Sequence, residues 1–436
     1  MGEIGRASRS PVTRPQPYAG IEVVEFGQFI AVPYCAQLLA DGGARVIKIE
    51  ALEGDPTRTL NPLAPGETRH FLSRNRGKHS LPLNLKHPSA SRVIHALLVR
   101  ADVVLTNFRP GLAHELGLDY ATLAPRYPRL IVGNVTAFGQ RGPDAMLAGM
   151  DLVVQARSGL MASNGRIVDG NPAAGDPPVA DYMCAMSLAF GIASALFRRA
   201  TTGRGGQVDV ALLAAALVVQ NNGMVRVDKT DAAPRRALLE RLAELRAAGA
   251  PYAEQAELLP NIRTPGMVRV YYRTYATKDA ALAVACVSAG LQRAFMRATG
   301  MKDLAHERPI ADPAEQQRHY DALGAAMEAL MRTRTTAEWT KACDAQGLPA
   351  SGVRLPVELM DDPQVLANEM LHDLDHPSLG PVRVVSNPVK MDEAGFRHSP
   401  ATRPFGSETR DLLSELGFTA EEVDDMLREA ATRETK

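Results

Sequence analysis

The sequence predicts an α/β protein whose larger part is a Rossmann-like parallel sheet with helices on both faces. Three observations carry that expectation. Short apolar runs recur between residues 21 and 135 with helical stretches between them, the pattern of strands buried on both sides. A stretch without any formal charge, Tyr182–Phe197, follows; it is short for a membrane span and reads as a buried helix packed closely against its neighbours. At 436 residues the chain exceeds the size of most single cores, so two domains are expected.

The elements follow in order. Residues 1–17 are polar and Pro-rich without an apolar core, and read as a disordered leader rather than a signal peptide. Ile21–Phe26 is a strand, Pro33–Ala40 a helix closing near Asp41-Gly42-Gly43, and Ala44–Glu50 a second strand. Further strands are expected at Leu81–Leu85, Val103–Asn107 and Leu130–Val135, with helices around Ser89–Arg100 and Leu112–Leu118. The first strand–helix turn, Glu25–Pro33, carries no G-x-G-x-x-G, so a dinucleotide site is not supported.

Residues 228–258 are rich in Arg, Glu, Ala and Leu at helical spacing and read as an exposed helix or helical pair linking two domains. Val270–Tyr275 is strand-like, Thr277–Asp279 a turn and Ala281–Val287 apolar; helices then run to about Gly347. Pro349–Pro356 reads as a second linker and Asp411–Arg433 as a helical tail. The expected parts are a leader (1–17), a large α/β domain (18–225), a helical linker (226–265), a small domain (266–348), and a linker with a C-terminal return to the large domain (349–436). Trp339 and the Tyr271-Tyr272 pair are expected in the small domain's core and interface.

Composition narrows the function. Apolar residues make up 45% and charged residues 22%, a soluble globular balance. The 49 basic and 49 acidic residues cancel, which argues against nucleic acid or an anionic membrane as the main partner. Cys35, Cys184, Cys286 and Cys343 lie far apart without a C-x-x-C pair, as free thiols of a cytoplasmic protein would. His372 and His376 have ligand spacing, but no third ligand is evident; they read as exposed loop residues, and no metal is expected.

Asp181 is the residue on which function turns. It stands between Pro177–Ala180 and the uncharged stretch, which Arg198-Arg199 and Thr202–Gly206 close. A carboxylate there can cap the helix's free N–H groups, the commoner job, or wait as a nucleophile. Local sequence favours the cap and leaves both roles open. Asp151 is expected to be structural, with a second site carboxylate as the alternative.

Several separated segments together resemble the family III CoA-transferases (CaiB/BaiF), the group that includes formyl-CoA transferase and the carnitine CoA-transferases. They are Gly20–Phe26 leading to Pro33, Leu38–Glu50 with Gly54–Arg58, Asn75–Ser80, Ala101–Gly111, Phe138–Pro143, Asp151–Gly159, Asp181, and Thr202–Val210. The likeness is strong over residues 18–225 and looser over 265–420; its weight lies in the order and spacing of the segments.

The resemblance implies a smaller α+β domain inserted into the large one and two chains threaded through each other as an interlocked homodimer. It implies Asp181 as the nucleophile that attacks an acyl-CoA thioester, giving an aspartyl anhydride and then an aspartyl-CoA thioester that a carboxylic acid acceptor resolves. Coenzyme A is then a substrate, with no permanently bound cofactor. Its contacts map onto Gln28, Phe29, Ala31, Lys78, Asn107 and Phe108, with Lys78 a candidate phosphate partner and Arg58, Arg76 and Arg109 looser ones. Gln28 or Gln155 is a candidate for orienting the acyl group.

The related 2-methylacyl-CoA racemases place a His where this chain has Met150, a side chain that cannot move a proton. Racemase or isomerase activity is therefore disfavoured. Intramolecular CoA transfer between two carboxyls of one diacid stays open. A non-catalytic acyl-CoA binder is the alternative from another class, and the presence of Asp181 argues against it.

Overall fold

The computed structural model describes residues 15–259, 264–392 and 395–435, so most of the expected leader lies outside the described residues. The chain divides into two compact units, Leu259–Leu366 being one and the segments on either side together the other.

The larger unit is built on six strands: β1 (Glu22–Glu25), β2 (Arg45–Glu50), β3 (Lys78–Pro82), β4 (Val103–Thr106), β5 (Ile131–Thr136) and β6 (Gly206–Ala211). Their spatial order is β3-β2-β1-β4-β5-β6 and all neighbours run parallel, the order of doubly wound folds. Successive side chains point to opposite faces, so each strand serves two cores. Val23, Val46, Val103 and Ile131 pack with α1 (Ala31–Asp41) and with Cys184, Leu188 and Ile192 further along the chain. Val24, Ile47, Val104 and Val132 pack with Val93 and Leu97 and with Leu412, Leu413, Val423 and Met426 of the C-terminal helices, Thr409–Glu415 and Ala420–Arg428. The chain end thus completes the second face, and Thr432 donates to the Pro82 carbonyl at 2.6 Å.

Other helices that matter for the site are α2 (Arg69–Asn75), α3 (Ala90–Arg100), α4 (Asp151–Ser158) and α5 (Val179–Thr202). α5 corrects the expectation of a wholly buried helix. Cys184, Leu188 and Ile192 are buried, but Phe190 is 76% and Phe197 77% exposed. Absence of charge marked the helix; it did not say how many of its faces this chain covers.

Other boundaries also move. β3 begins at Lys78 rather than Leu81, because its polar start is buried by ion pairing, and the helix expected at Leu112–Leu118 spans Pro110–Glu115. β6 was not evident from periodicity. The 228–258 segment is a helical pair, Asp228–Ala247 and Tyr252–Ala256.

In the smaller unit, strands Tyr272–Ala276, Ala281–Ala285 and Ala350–Gly352 form an antiparallel sheet. The supposed linker Pro349–Pro356 is therefore corrected: Ala350 pairs with Val284 and Gly352 with Leu282. Met267–Tyr271 is a single wide helical turn where Val270 and Tyr271 were read as strand. Trp339 and Tyr271 lie in the core, whereas Tyr272 is 38% exposed.

A buried ionic cluster sits at the C-terminal end of β1 and β2. Glu25 and Lys48 are register partners, and Lys48 Nζ lies 3.0 Å from Glu25 Oε1 and 3.0 Å from Asp55 Oδ2 while donating to the Gly27 carbonyl at 2.6 Å. The opposing carboxylates outweigh desolvation and hold the ammonium well above its ordinary pKa. Truncating one member strands buried charge without water or partner, which costs about 3–5 kcal/mol. Lys48→Met should lower unfolding free energy by that amount, read by chemical denaturation. A loss below about 1 kcal/mol would mean that the site is wetter than this packing allows.

Candidate active site

The turn from β1 into α1 is shaped by close contacts. A side chain at Gly27 would collide with Val32 at 2.2 Å, so only glycine lets the chain fold back here. Phe29 adopts φ +67°, a conformation unusual for an aromatic residue. Asn107, just after β4, fixes the turn at both ends of one residue: its Oδ1 accepts from the Gln28 N–H at 3.2 Å and its Nδ2 donates to the Gln28 carbonyl at 2.8 Å. β1 and β4 are neighbours at the point where the strand order reverses, where ligands of doubly wound sheets bind.

A cavity of about 370 Å³ opens there, at the C-terminal ends of β1 to β4. Phe26, Phe108, Leu83 and Leu85 give it apolar walls, and Gln28, Asn84 and Lys86 edge it. Phe26 and Phe108 are tilted against each other with centroids 6.1 Å apart. The cavity suits a flat, partly apolar group with polar edges. Leu83–Lys86 was not singled out from sequence, since nothing local distinguishes it from any strand-to-helix loop.

Asp181 lies in the first turn of α5, whose N-terminal flank is Pro178. This overturns the capping role: the Asp181 side chain makes no cap hydrogen bond, and among the described residues its carboxylate accepts none at all. The cap comes from α4 instead. Asp151 Oδ2 accepts from the Asp181 backbone N–H at 3.0 Å, and its Oδ1 accepts from Gln155 Nε2. Gln155 Oε1 in turn accepts from the Gly175 N–H at 3.3 Å, tying down the approach to α5. Asp151 is thus structural, as expected, and its charge also bears on Asp181. Burial, then the Asp151 charge, push the Asp181 carboxyl up to about 7, with Arg74 pulling the other way. A half-buried carboxylate without donors, close to neutrality, is a base or nucleophile in waiting.

α5 and α1 cross near this turn. Tyr182 and Tyr34 meet edge to face at 5.1 Å, and Arg74 of α2 donates from Nε to the Tyr182 hydroxyl at 3.3 Å. Met150 immediately precedes Asp151 and is 51% exposed.

Several expected coenzyme contacts fall elsewhere. Lys78 is 3% exposed and its ammonium is fully used, 2.7 Å from Glu25 Oε2 and donating to the Pro33 carbonyl and Asn75 Oδ1 at 2.8 Å each. Burial pulls its pKa down to about 8. Arg58 is buried, bidentate to Glu50 at 2.7 and 2.9 Å, and stacked 3.6 Å from the Phe71 ring centre. Arg76 is buried and donates to the Val385 carbonyl at 3.0 Å. All three are buried against internal acceptors that are distant in the chain or fixed by the fold, which sequence cannot show. Ala31 is buried, 3% exposed, in the first turn of α1. Gln28 and Phe108 line the cavity, Asn107 supports it, Phe29 sits on its turn, and Arg109 is exposed without an ion pair among the described residues.

His372 and His376 are also corrected. Both sit in strand Leu371–His376, where His372 stacks on His398 at 3.8 Å and His376 Nε2 lies 2.8 Å from Thr402 Oγ1. No group of three His, Cys, Asp or Glu able to hold a metal occurs among the described residues.

Residues 18–409 match CoA-transferase family III. The chain belongs to that family. It is 30% identical over 421 residues to cinnamoyl-CoA:phenyllactate CoA-transferase of Clostridium sporogenes, covering 94% of this chain and 95% of that one. It is 31% identical to succinate–glutarate CoA-transferase of Agrobacterium fabrum, covering 92% and 96%. A solved CaiB/BaiF family protein from Brucella suis superposes with a TM-score of 0.72 at 26% identity, covering 92% of this chain and 100% of that one. This family III chain is therefore an enzyme, and its substrates are acyl-CoA thioesters and carboxylic acids.

Two predictions follow from the Asp181 environment. With Asp181 as nucleophile the reactive form would be the ionised one, so kcat/KM for the acyl-CoA should rise about tenfold per pH unit below about 7 and level above it. Asp151→Asn removes the like charge and should move that limb to lower pH; an unmoved limb would assign it to another group. For stability, Asp181 favours the fold while it holds its proton, fully below about 3.8, and that contribution is lost as pH rises through about 7. The melting temperature of Asp181→Asn should therefore gain on wild type between pH 5 and pH 8.

Proposed function

We propose that this protein transfers CoA from an acyl-CoA donor to a carboxylic acid by covalent catalysis at Asp181. The observation that carries the proposal is the Asp181 carboxylate itself, half-buried, without a hydrogen-bond donor and pushed up to about 7. In water a carboxylate is a weak nucleophile; stripped of donors its lone pairs are available.

The steps balance without redox change or net proton release. An Asp181 oxygen attacks the thioester carbonyl, the C–S bond breaks, and an aspartyl anhydride and CoA thiolate form. The thiolate attacks the Asp181 carbonyl, expelling the donor acid as carboxylate and leaving an aspartyl-CoA thioester. The acceptor carboxylate attacks that thioester, its C–S bond breaks to give a second anhydride and CoA thiolate, and the thiolate then attacks the acceptor's acyl carbonyl, expelling the Asp181 carboxylate. No permanently bound cofactor enters. The cavity between Phe26 and Phe108 takes the adenine end of CoA, and Arg109 or Lys86 meets its phosphates, both being exposed and close to that opening in the chain.

A racemase would need a proton-transferring partner opposite Asp181, and Met150 offers none. Intramolecular transfer uses the same aspartate and is separated by asking whether a free acid is required. The relatives span an aromatic hydroxy acid and aliphatic diacids, so relationship alone does not choose the substrate.

We place the enzyme in the cytoplasm as an interlocked homodimer. Its four cysteines are free and buried. Met186, Phe190 and Phe197 form one exposed apolar stripe along α5, which a second copy of the chain would cover.

Incubation with a panel of acyl-CoAs should add acyl or CoA mass to the peptide carrying Asp181, removable by hydroxylamine, and Asp181→Asn should lose both adduct and exchange by at least about 10³-fold. Retained exchange in that variant would sink the mechanism. Light scattering should give two chains per particle. Separately purified tagged and untagged protein should not exchange subunits without unfolding, and Phe190→Glu with Phe197→Glu should block dimer formation.

A further inference from the structure

We propose that Arg74 recognises a second carboxylate on the acid being transferred, so that the enzyme works on dicarboxylic acids. This rests on the transferase reading and adds to it the class of acid.

Arg74 is 7% exposed and makes no ion pair among the described residues. That is unusual in this molecule. Lys48, Arg58, Lys78 and Arg199 are also buried, and each has a carboxylate oxygen at 2.7–3.0 Å. Arg76, the next buried guanidinium along, has only carbonyl acceptors among the described residues, with the Asp41 charge acting on it from nearby. Arg74 has only neutral acceptors, the Tyr182 hydroxyl at 3.3 Å and the His70 carbonyl at 3.4 Å, both long and using two of its five N–H groups. A buried cation with neutral partners alone is costly unless something else supplies the negative charge.

Its position says what supplies it. Arg74 reaches across from α2 to the first turn of α5, with its guanidinium 5.8 Å from the ring centre of Tyr182, the residue after Asp181, and its charge acts on Asp181. Asp151, the other carboxylate nearby, already accepts from Asp181 N–H and Gln155. The unused edge of the guanidinium fork matches a carboxylate.

The carboxylate it binds is the distal one. The reacting carboxylate loses its charge when CoA is placed on it, and a guanidinium clamped to it would weaken it as a nucleophile. A distal carboxylate keeps its charge through every anhydride and thioester, so Arg74 stays paired throughout.

The test compares butanedioate with butanoate as acceptors from one common donor. Wild type should prefer the diacid by about a hundredfold in kcat/KM, the worth of a charge-assisted hydrogen-bonded pair. Arg74→Met should collapse that ratio towards one, and Arg74→Lys should restore part of it, since a point charge lacks the fork. Equal use of both acids by wild type would overturn the proposal without any variant. So would Arg74→Met lowering both equally, which would put Arg74 on the reacting carboxylate or on Asp181. Binding of butanedioyl-CoA against butanoyl-CoA to Asp181→Asn protein is read separately by calorimetry. Diacyl-CoA preference there that vanishes with Arg74→Met, alongside no adduct on wild type, would sink the transferase reading and keep this one. No preference in binding or turnover would sink this one alone.

Discussion

The Glu25–Lys48 pair holds together most of what the larger unit needs for a site. It joins β1 to β2 by direct register, adds β3 through Lys78, and through the Gly27 carbonyl fixes the turn that edges the cavity. A hydrophobic pair at the same register would pack as well and could stabilise more. It could not aim three donors at a loop carbonyl and two carboxylates at once. The ionic cluster therefore gives geometry where an apolar core would give only cohesion. The same logic extends outward, as Arg58 holds Glu50 and Thr402 of the C-terminal segment accepts His376 and donates to Glu67.

A second constraint governs Asp181. The first turn of a helix offers free N–H groups and a favourable field for an anion. Spending both on the nucleophile would tame it. Here Asp151 takes the capping position from another helix, so α5 is satisfied while Asp181 is left without donors and beside a like charge. In the proposed mechanism the fold gives up stability at neutral pH to keep that carboxylate reactive, a trade common at active sites. Arg74 limits the trade from the other side, and in the proposed diacid complex it would acquire a carboxylate partner.

Local physics was legible where it was periodic. Apolar runs marked β1, β2, β4 and β5, and the uncharged stretch marked α5. Polar starts hid β3, whose Lys78 is buried against Glu25 of β1 and whose Ser80 donates to Glu50 of β2. Ala350–Gly352 looked like a linker because three small residues carry no pattern; pairing with Ala281–Ala285 makes them a strand. Basic residues were the least legible of all. Lys78, Arg58 and Arg76 resembled phosphate partners, and each is buried with acceptors inside the protein, while nothing local distinguishes Arg74, a buried cation without an ion pair among the described residues.

By itself the sequence determined the class of fold and the family, and it singled out Asp181 as the candidate nucleophile, because strand periodicity and segment order are written along the chain. Tertiary structure alone decided the protonation and partners of that carboxylate. Asp151 is thirty residues away in sequence, yet its carboxylate accepts from the Asp181 backbone N–H at 3.0 Å. Charges act through distance and desolvation, and neither is a property of sequence position.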